Sequence, residues 1–86
     1  MNPFKVIKHP LGTEKSIRLM DSENKLVFIV ERKATKADVK KALEEAYEAK
    51  VEKVTTMITN TGKKKAYVRF ADDYPAIDLA TKLGLM

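Results

Sequence analysis

The chain has 86 residues, no cysteine and a net charge of +5, with 44% hydrophobic and 34% charged residues. This length predicts one modest hydrophobic core, and the lack of cysteine excludes disulfides and thiolate metal sites. The longest apolar run, residues 26–30, is too short to span a membrane, and the first ten residues lack the apolar stretch of a signal peptide. We therefore expect a single cytoplasmic domain over residues 1–86 with an anionic partner.

The first predicted elements are a strand and a short helix. Lys5–Lys8 lies between two prolines, which favour extended backbone, so we expect a first or edge strand there. Thr13 is a candidate helix cap, followed by Glu14 in the first turn, where the helix dipole favours an acid. Ile17 and Met20 then recur on one face. The helix is predicted to end in the polar sequence D-S-E-N.

A buried strand and a longer helix follow. Leu26–Val30 is apolar on both alternating faces, which is typical of a central strand covered on both sides. Thr35 and Asp38 resemble a capping box with Asp in place of Glu. The helix after this cap has four apolar residues at helical spacing: Val39, Ala42, Leu43 and Ala46.

The second half of the chain predicts a hairpin and a last helix. Val51–Asn60 alternates in polarity, and after a turn at N-T-G, Lys63–Ala71 is its predicted partner strand. The last helix is predicted from about Pro75 to Gly84. Its expected apolar positions are Ile77, Ala80 and Leu83.

The predicted element order is β-α-β-α-β-β-α. No linker, internal repeat or low-complexity segment divides the sequence. This order favours an α+β fold with a mainly antiparallel four-stranded sheet flanked by helices.

The positive charge is concentrated in two segments. Residues 1–20 have a net charge of +3 and residues 53–71 have five cations and no acid, so the rest of the chain is net negative. Within the second segment, G-K-K-K-A-Y-V-R-F alternates along a strand, so Lys63, Lys65, Tyr67 and Arg69 share one side. Cations with an interleaved aromatic ring are suited to nucleic acid, since cations neutralise phosphates and a ring can stack on a base. The alternative is a solvated strand whose lysines prevent edge-to-edge aggregation.

The sequence offers little for catalysis or metal binding. His9 is the only histidine, and neither a P-loop nor a G-x-G-x-x-G motif is present. Asp72 and Asp73 are adjacent, so their side chains should diverge, and we expect them to begin the last helix. We predict a non-enzymatic protein without a metal or cofactor.

The lysine-rich strand also partly matches the signature of the RNA-recognition motif. Lys64 replaces the glycine of that signature and Lys65 replaces the first of its two stacking rings. The strand is also fourth in the predicted order, whereas the motif has its signature on the third. This pattern favours contact with the backbone and shape of a structured RNA over reading of unpaired bases.

Six segments in order resemble a known family, the large-subunit ribosomal protein numbered twenty-three, in its short archaeal form. They are H-P-L-G-T-E-K-S, N-K-L-V-F-I-V, A-T-K-A-D-V-K-K-A-L-E, V-E-K-V-T-T-M-I-T, K-K-A-Y-V-R-F and A-T-K-L-G-L. The resemblance extends from about His9 to Leu85. It implies binding to large-subunit rRNA, chiefly its third domain, at the rim of the polypeptide exit tunnel. It also implies contact with the neighbouring ribosomal protein numbered twenty-nine.

The residue patterns and the resemblance together predict an rRNA-binding set: Lys5, Lys8, His9, Lys15, Lys36, Lys63, Lys64, Lys65, Tyr67 and Arg69. The resemblance further implies that Glu14 is a docking residue for factors that meet the nascent chain, here the signal recognition particle or the protein-conducting channel. Bacterial members insert a long basic loop between the last two strands, but only N-T-G-K-K joins them here. Two alternatives stay open: a free RNA-binding module resembling an RNA-recognition motif, and a basic protein-interaction domain.

Overall fold

The computed structural model describes the backbone of residues 3–84 and the side chains of residues 5–84. The predicted order of three helices and four strands is confirmed, and one extra helical turn precedes it. The described residues therefore form four helices and four strands. They are α1 Pro3–Val6, β1 Ile7–Pro10, α2 Glu14–Glu23, β2 Lys25–Val30, α3 Lys36–Tyr47, β3 Val51–Ile58, β4 Lys64–Phe70 and α4 Ala76–Lys82.

The four strands form one antiparallel sheet in the order β1-β2-β4-β3. This confirms the predicted α+β class and the predicted position of the first strand at an edge. All five residues from Leu26 to Val30 are buried, as expected of a strand covered on both sides. β2 and β4 are therefore the central strands, and their side chains decide the character of both sheet faces.

One sheet face, the core face, carries the main hydrophobic core. Alternate residues of β4 point into it, and Ala66, Val68 and Phe70 are each fully buried. They cluster with Leu26 and Phe28 of β2 and with apolar residues of all four helices. Since burial of a large apolar side chain stabilises a protein by about 1.5–3 kcal/mol, this face supplies most of the folding energy.

Capping residues fix the starts of two helices where the sequence predicts them. The Thr13 hydroxyl accepts a hydrogen bond from the Ser16 amide at 3.2 Å. Thr35 and Asp38 form the predicted capping box: the Asp38 amide donates to the Thr35 hydroxyl at 3.1 Å, and the Thr35 amide donates to Asp38 Oδ2 at 3.0 Å. These bonds satisfy helix N–H groups that would otherwise lack a partner.

The predicted bounds of the first strand were wrong. Lys5 and Val6 belong to the helical turn α1, and the strand runs from Ile7 to Pro10 instead. A proline at the first helical position favours such a turn, because its fixed φ suits a helix and it has no N–H to satisfy. Val6 is buried in the core cluster, so packing also stabilises the turn.

The predicted start near Pro75 is confirmed, but two other predictions for the last helix were wrong: that Asp72 and Asp73 begin it, and that Ile77 is one of its buried apolar positions. α4 begins at Ala76, and Asp72 and Asp73 lie in the turn before it. Ile77 is exposed, while Ala76, Leu79 and Ala80 are buried. Asp73 is instead ion-paired with Lys50, whose ammonium lies 2.7 Å from its carboxylate. This tertiary contact is not visible in the local sequence.

The end of α2 is joined to distant parts of the chain by one side chain. Asn24 adopts a left-handed conformation, with φ of 55°. Its side-chain amide nitrogen donates to the carbonyls of Phe70, Ala71 and Tyr74 at 3.0–3.3 Å. Its amide oxygen accepts from the Ala76 N–H at 2.7 Å. Asn24 therefore links α2, the end of β4 and the start of α4.

Candidate nucleic-acid interface

The sheet face opposite the core is basic, as the alternation in β4 predicts. Lys65, Tyr67 and Arg69 alternate with the buried residues of the same strand and point away from the main core. The strand register extends each of them into a row across the sheet. We call this surface the basic face; its rows are Lys25–Arg69–Lys53, Val27–Tyr67–Thr55 and Ile29–Lys65–Met57.

The first row places three cations side by side. Arg69 is the register partner of both Lys25 and Lys53. Like charges directly opposite one another destabilise a sheet. Two exposed or half-exposed carboxylates offset only part of this repulsion: Glu23 lies 3.4 Å from the Lys25 ammonium and Glu52 lies 3.8 Å from the Arg69 guanidinium. The arrangement is therefore one that an anionic partner would stabilise.

The middle row places an aromatic ring beside this cationic row. Tyr67 is half-buried, and it shares a groove with the apolar side chains of Leu11, Leu19 and Val27. A second groove, of about 450 Å³, continues from Tyr67 and Leu19 to Met57, whose side chain is exposed. One side of the ring is thus supported by packing, and the ring borders an open surface.

Helix α2 adds charge to the margin of the basic face. Lys15 is exposed and lines both grooves with Tyr67. Met20 of the same helix joins the core cluster, so α2 is held in place by burial while Lys15 stays accessible. The short loop before α2 packs on the sheet, since the Leu11 amide donates to the Val27 carbonyl at 2.8 Å.

The β3–β4 turn brings further cations to the end of the basic face. The Gly62 N–H donates to the Thr59 carbonyl at 3.0 Å, and the Thr59 N–H donates to the Lys63 carbonyl at 2.8 Å. Gly62 has φ of 80°, a conformation that a three-residue hairpin loop requires at this position. Lys63 and Lys65 then line a groove together with His9 of β1.

Comparison with known proteins places the chain in a family. The family model described as ribosomal protein L23 matches residues 5–77. A relative from Methanococcus maripaludis, named large ribosomal subunit protein uL23, is 51% identical over 85 residues, covering 99% of each chain. The chain belongs to the ribosomal protein L23 family. A relative of the same name from Methanococcus aeolicus is 47% identical over 85 residues, again covering 99% of each chain.

Three of the predicted rRNA-binding residues do not lie on the basic face of this L23 family member. Lys5 is on α1 and Lys36 begins α3, two helices that contact each other and contribute to the core. Lys64 is half-buried, and its ammonium donates a hydrogen bond to the Ala34 carbonyl. The remaining seven predicted residues lie on the basic face, on its margin or at its hairpin end: Lys8, His9, Lys15, Lys63, Lys65, Tyr67 and Arg69.

Three cations of this surface were not assigned from the sequence. Lys25 and Lys53 flank Arg69 only because of the strand register, which the sequence does not give. Arg32 lies in the turn after β2 and approaches the hairpin turn, with a guanidinium nitrogen 3.8 Å from where a Cβ on Gly62 would stand. Alternation along β2 and β3 was the available signal for the two lysines. For Arg32 there was none.

Glu14, the first residue of α2, belongs to none of the rows of the basic face. Its side chain is 83% exposed and forms an ion pair with Arg18 one turn later, at 2.8 Å. Such exposed pairs contribute little to stability. Glu14 is therefore accessible to a partner.

Two other kinds of site have no counterpart in the part of the chain that the structure describes. No group of three or more acidic or histidine side chains there is placed to hold a metal ion. None of the helices described between residues 3 and 84 is long and apolar enough to cross a membrane.

Proposed function

We propose that the chain is a structural, non-enzymatic component of the large ribosomal subunit that binds large-subunit rRNA through its basic face. The observation that carries this proposal is the cationic row across three strands beside the half-buried ring of Tyr67. Family membership supports the ribosomal context. In this proposal the cations contact phosphates, and Tyr67 packs on a sugar or base.

The arrangement favours recognition of a folded RNA over reading of a sequence. The basic face offers one accessible ring, whereas sequence reading of unpaired bases uses two or more stacking rings. The three cations of the first row lie on neighbouring strands about 4.8 Å apart, so they concentrate positive charge where RNA phosphates would bind. We therefore propose binding governed mainly by backbone charge and RNA shape.

We further propose that the bound position is the rim of the polypeptide exit tunnel in the cytoplasmic ribosome, beside the ribosomal protein numbered twenty-nine. This position rests on the family resemblance and not on the geometry of the chain. Glu14 is then the docking residue for the signal recognition particle or the protein-conducting channel. Its exposure and its place at the start of α2, beside rather than within the basic face, support that role.

The rRNA proposal is tested with Lys65→Gln and Arg69→Gln combined. Glutamine is preferred to glutamate because Glu52 would otherwise face a second carboxylate at position 69. We expect weaker binding to a transcript of the third rRNA domain. The log–log dependence of affinity on salt should flatten by about 0.9 for each lost contact to a duplex phosphate, or about 0.7 for a single strand.

The matched control removes two cations from the far side of the molecule. Lys40→Gln with Lys41→Gln changes the net charge equally, but both residues are exposed on α3, which packs on the core face. The control should retain wild-type affinity and salt slope. Equal losses for both variants would mean that net charge, and not the basic face, governs binding.

Co-sedimentation separates the proposal from its two alternatives. A ribosomal protein should stay with the large subunit in moderately high salt. A free RNA-binding module should dissociate under the same conditions, and a protein-interaction domain should follow its protein partner.

The docking role of Glu14 is tested with Glu14→Gln on reconstituted ribosomes. We expect normal rRNA binding but reduced affinity for a purified targeting factor, because one exposed negative charge is lost. Asp21→Asn is the control, since Asp21 is an exposed acid on the same helix. Equal factor binding by Glu14→Gln and wild-type ribosomes would leave Glu14 only its place in the first turn of α2.

A further inference from the structure

A second basic feature lies at the end of the sheet, where three separate parts of the chain meet. They are β1, the turn after β2 and the β3–β4 hairpin turn. Between them is a pocket of about 420 Å³. We call it the Arg32 pocket; it is lined by Lys8, His9, Ile29, Val30, Arg32, Gly62, Lys63 and Lys64.

The charged residues that line this pocket are all cations. Four of its eight residues are lysine or arginine, a fifth is histidine, and none is acidic. Glu31 lies 3.9 Å from the Lys8 ammonium, in an exposed pair of the kind that contributes little. Folding thus collects like charges at one point without neutralising them, so an anion would stabilise the pocket.

Two of the cations remain available for a ligand. Lys64 already donates to the Ala34 carbonyl. Arg32 and Lys63, by contrast, form no ion pair with any residue from Lys5 to Gly84. Gly62 lies between them without a side chain, and a Cβ there would come within 3.8 Å of the Arg32 guanidinium. Arg32 is also exposed, so its guanidinium is accessible at the pocket wall.

We propose that the Arg32 pocket binds one phosphate group of an RNA backbone, with Arg32 as its principal contact. A guanidinium presents two parallel N–H donors that match two phosphate oxygens, which an ammonium cannot do. The ligand is assigned to RNA rather than to a free anion because the pocket is continuous with the proposed interface. His9, Ile29 and Lys63 line both the pocket and the groove that borders Lys65. This inference rests on the proposed rRNA binding and extends it around the end of the sheet.

The test compares two adjacent residues of the same turn. Arg32→Gln and Lys33→Gln each remove one positive charge from an exposed position, but only Arg32 lines the pocket. We expect Arg32→Gln to weaken binding of the full chain to a third-domain rRNA transcript about fivefold and to flatten the salt slope by about 0.7–0.9. Lys33→Gln should leave both unchanged. Arg32→Lys should restore the slope, because it restores the charge.

Inorganic phosphate is the second probe, since it shares the chemistry of the RNA phosphate. Phosphate should raise the Tm of the wild-type chain more than chloride does at equal ionic strength, and Arg32→Gln should reduce that rise. A phosphate effect that depends on Arg32, without any loss of RNA affinity in Arg32→Gln, would assign the pocket to a free anion and overturn the inference.

The remaining outcomes separate this inference from the proposed function. If Lys65→Gln with Arg69→Gln weakens RNA binding and Arg32→Gln does not, the pocket inference fails and the rRNA interface stands. If neither variant weakens binding, both fail. If Lys33→Gln weakens binding as much as Arg32→Gln, the effect belongs to the charge of the turn and the pocket inference again fails.

Discussion

The two faces of the sheet differ sharply, although the same strand supplies both. On the core face, Ala66, Val68 and Phe70 are fully buried, whereas Lys65, Tyr67 and Arg69 on the basic face are half-buried or exposed. Neighbouring residues of β4 therefore have different tasks. In the proposed function, the even-numbered residues from Ala66 to Phe70 provide stability and the odd-numbered residues from Lys65 to Arg69 bind RNA.

This division would allow 86 residues to hold both a core and the proposed interface. A domain of this size buries only about 60–65% of the surface that its unfolded chain exposes. Most of its apolar side chains must therefore be buried for the fold to be stable. The basic face still has apolar residues at its centre, where Val27 and Ile29 are buried beneath longer neighbours. The proposed interface therefore lies over a second, thinner apolar layer, which Val27 and Ile29 form.

The largest effect should come from breaking the core side of β4. Phe70→Ala should lower the free energy of unfolding by about 3–5 kcal/mol, because it removes a fully buried ring that also lies 5.4 Å from the ring of Tyr74. Urea unfolding measures this loss. Where the variant is still folded, its rRNA affinity should match that of the wild type.

The adjacent residue Arg69 provides the comparison for that experiment. Arg69→Ala should change the unfolding free energy by no more than about 0.5 kcal/mol, because its side chain is about half exposed and its ion pair is a surface one. A destabilisation as large as that of Phe70→Ala would show that the basic face contributes to the free energy of unfolding as much as the core face does.

Substitution of Tyr67 is expected to have a smaller effect than that of Phe70. It tests whether the ring contributes to RNA binding or to stability. Tyr67→Ala should weaken rRNA binding by on the order of 1–3 kcal/mol if the ring stacks on a base. Tyr67→Phe keeps the ring and should retain most of the affinity. Thermal unfolding and rRNA titration should be measured on the same samples. Loss of stability with unchanged affinity would make Tyr67 a packing residue.

Acid pH should give the smallest effect, a loss of stability. The Thr35 N–H that donates to Asp38 lowers the pKa of that carboxyl, and the hydrogen bond and charge of Lys50 lower the pKa of Asp73. A lowered pKa stabilises the folded state above the unfolded pKa, and this contribution is lost as the pH falls through the folded pKa. Stability should therefore decline below about pH 4.

This pH effect is measured by unfolding at several pH values. Asp38→Asn and Asp73→Asn should each flatten the decline, because the amide does not titrate. Asp72→Asn is the control for Asp73, since the neighbouring Asp72 has no ion pair among the residues the structure describes. A decline that is unchanged in the first two variants would assign the acid sensitivity to other carboxyl groups.

Local sequence patterns predicted much of the fold. The capping box at Thr35, the continuous apolar run of β2 and the alternation of β4 each depend on neighbouring residues, and each was confirmed. The exposed position of Ile77 was not predicted, because the choice between adjacent helix faces depends on what the helix packs against. Local sequence patterns therefore predicted which helices and strands form more successfully than which face of each helix is buried.

The candidate site was less predictable for a related reason. Alternation places Lys65 and Arg69 on one side of a strand, but only the register brings Lys25 and Lys53 beside Arg69. Arg32 and Lys63 are 31 positions apart in the sequence. They line the same pocket only because β2 and β4 are paired. For Lys64, the sequence pattern predicts a contact with RNA, but its ammonium donates a hydrogen bond to the carbonyl of Ala34, which is distant in the sequence.

The hydrogen bonds of Asn24 couple the end of β4 to the start of α4. Its side chain bonds to four backbone groups that lie 46–52 residues away in the sequence. Fraying of the end of β4 would release the first turn of α4 as well, and detachment of α4 would expose carbonyls at the end of the strand that carries Arg69. The helix and the strand should therefore open as one unit rather than by separate local fluctuations. The spacing of charges on the basic face is then maintained for as long as the last helix stays docked.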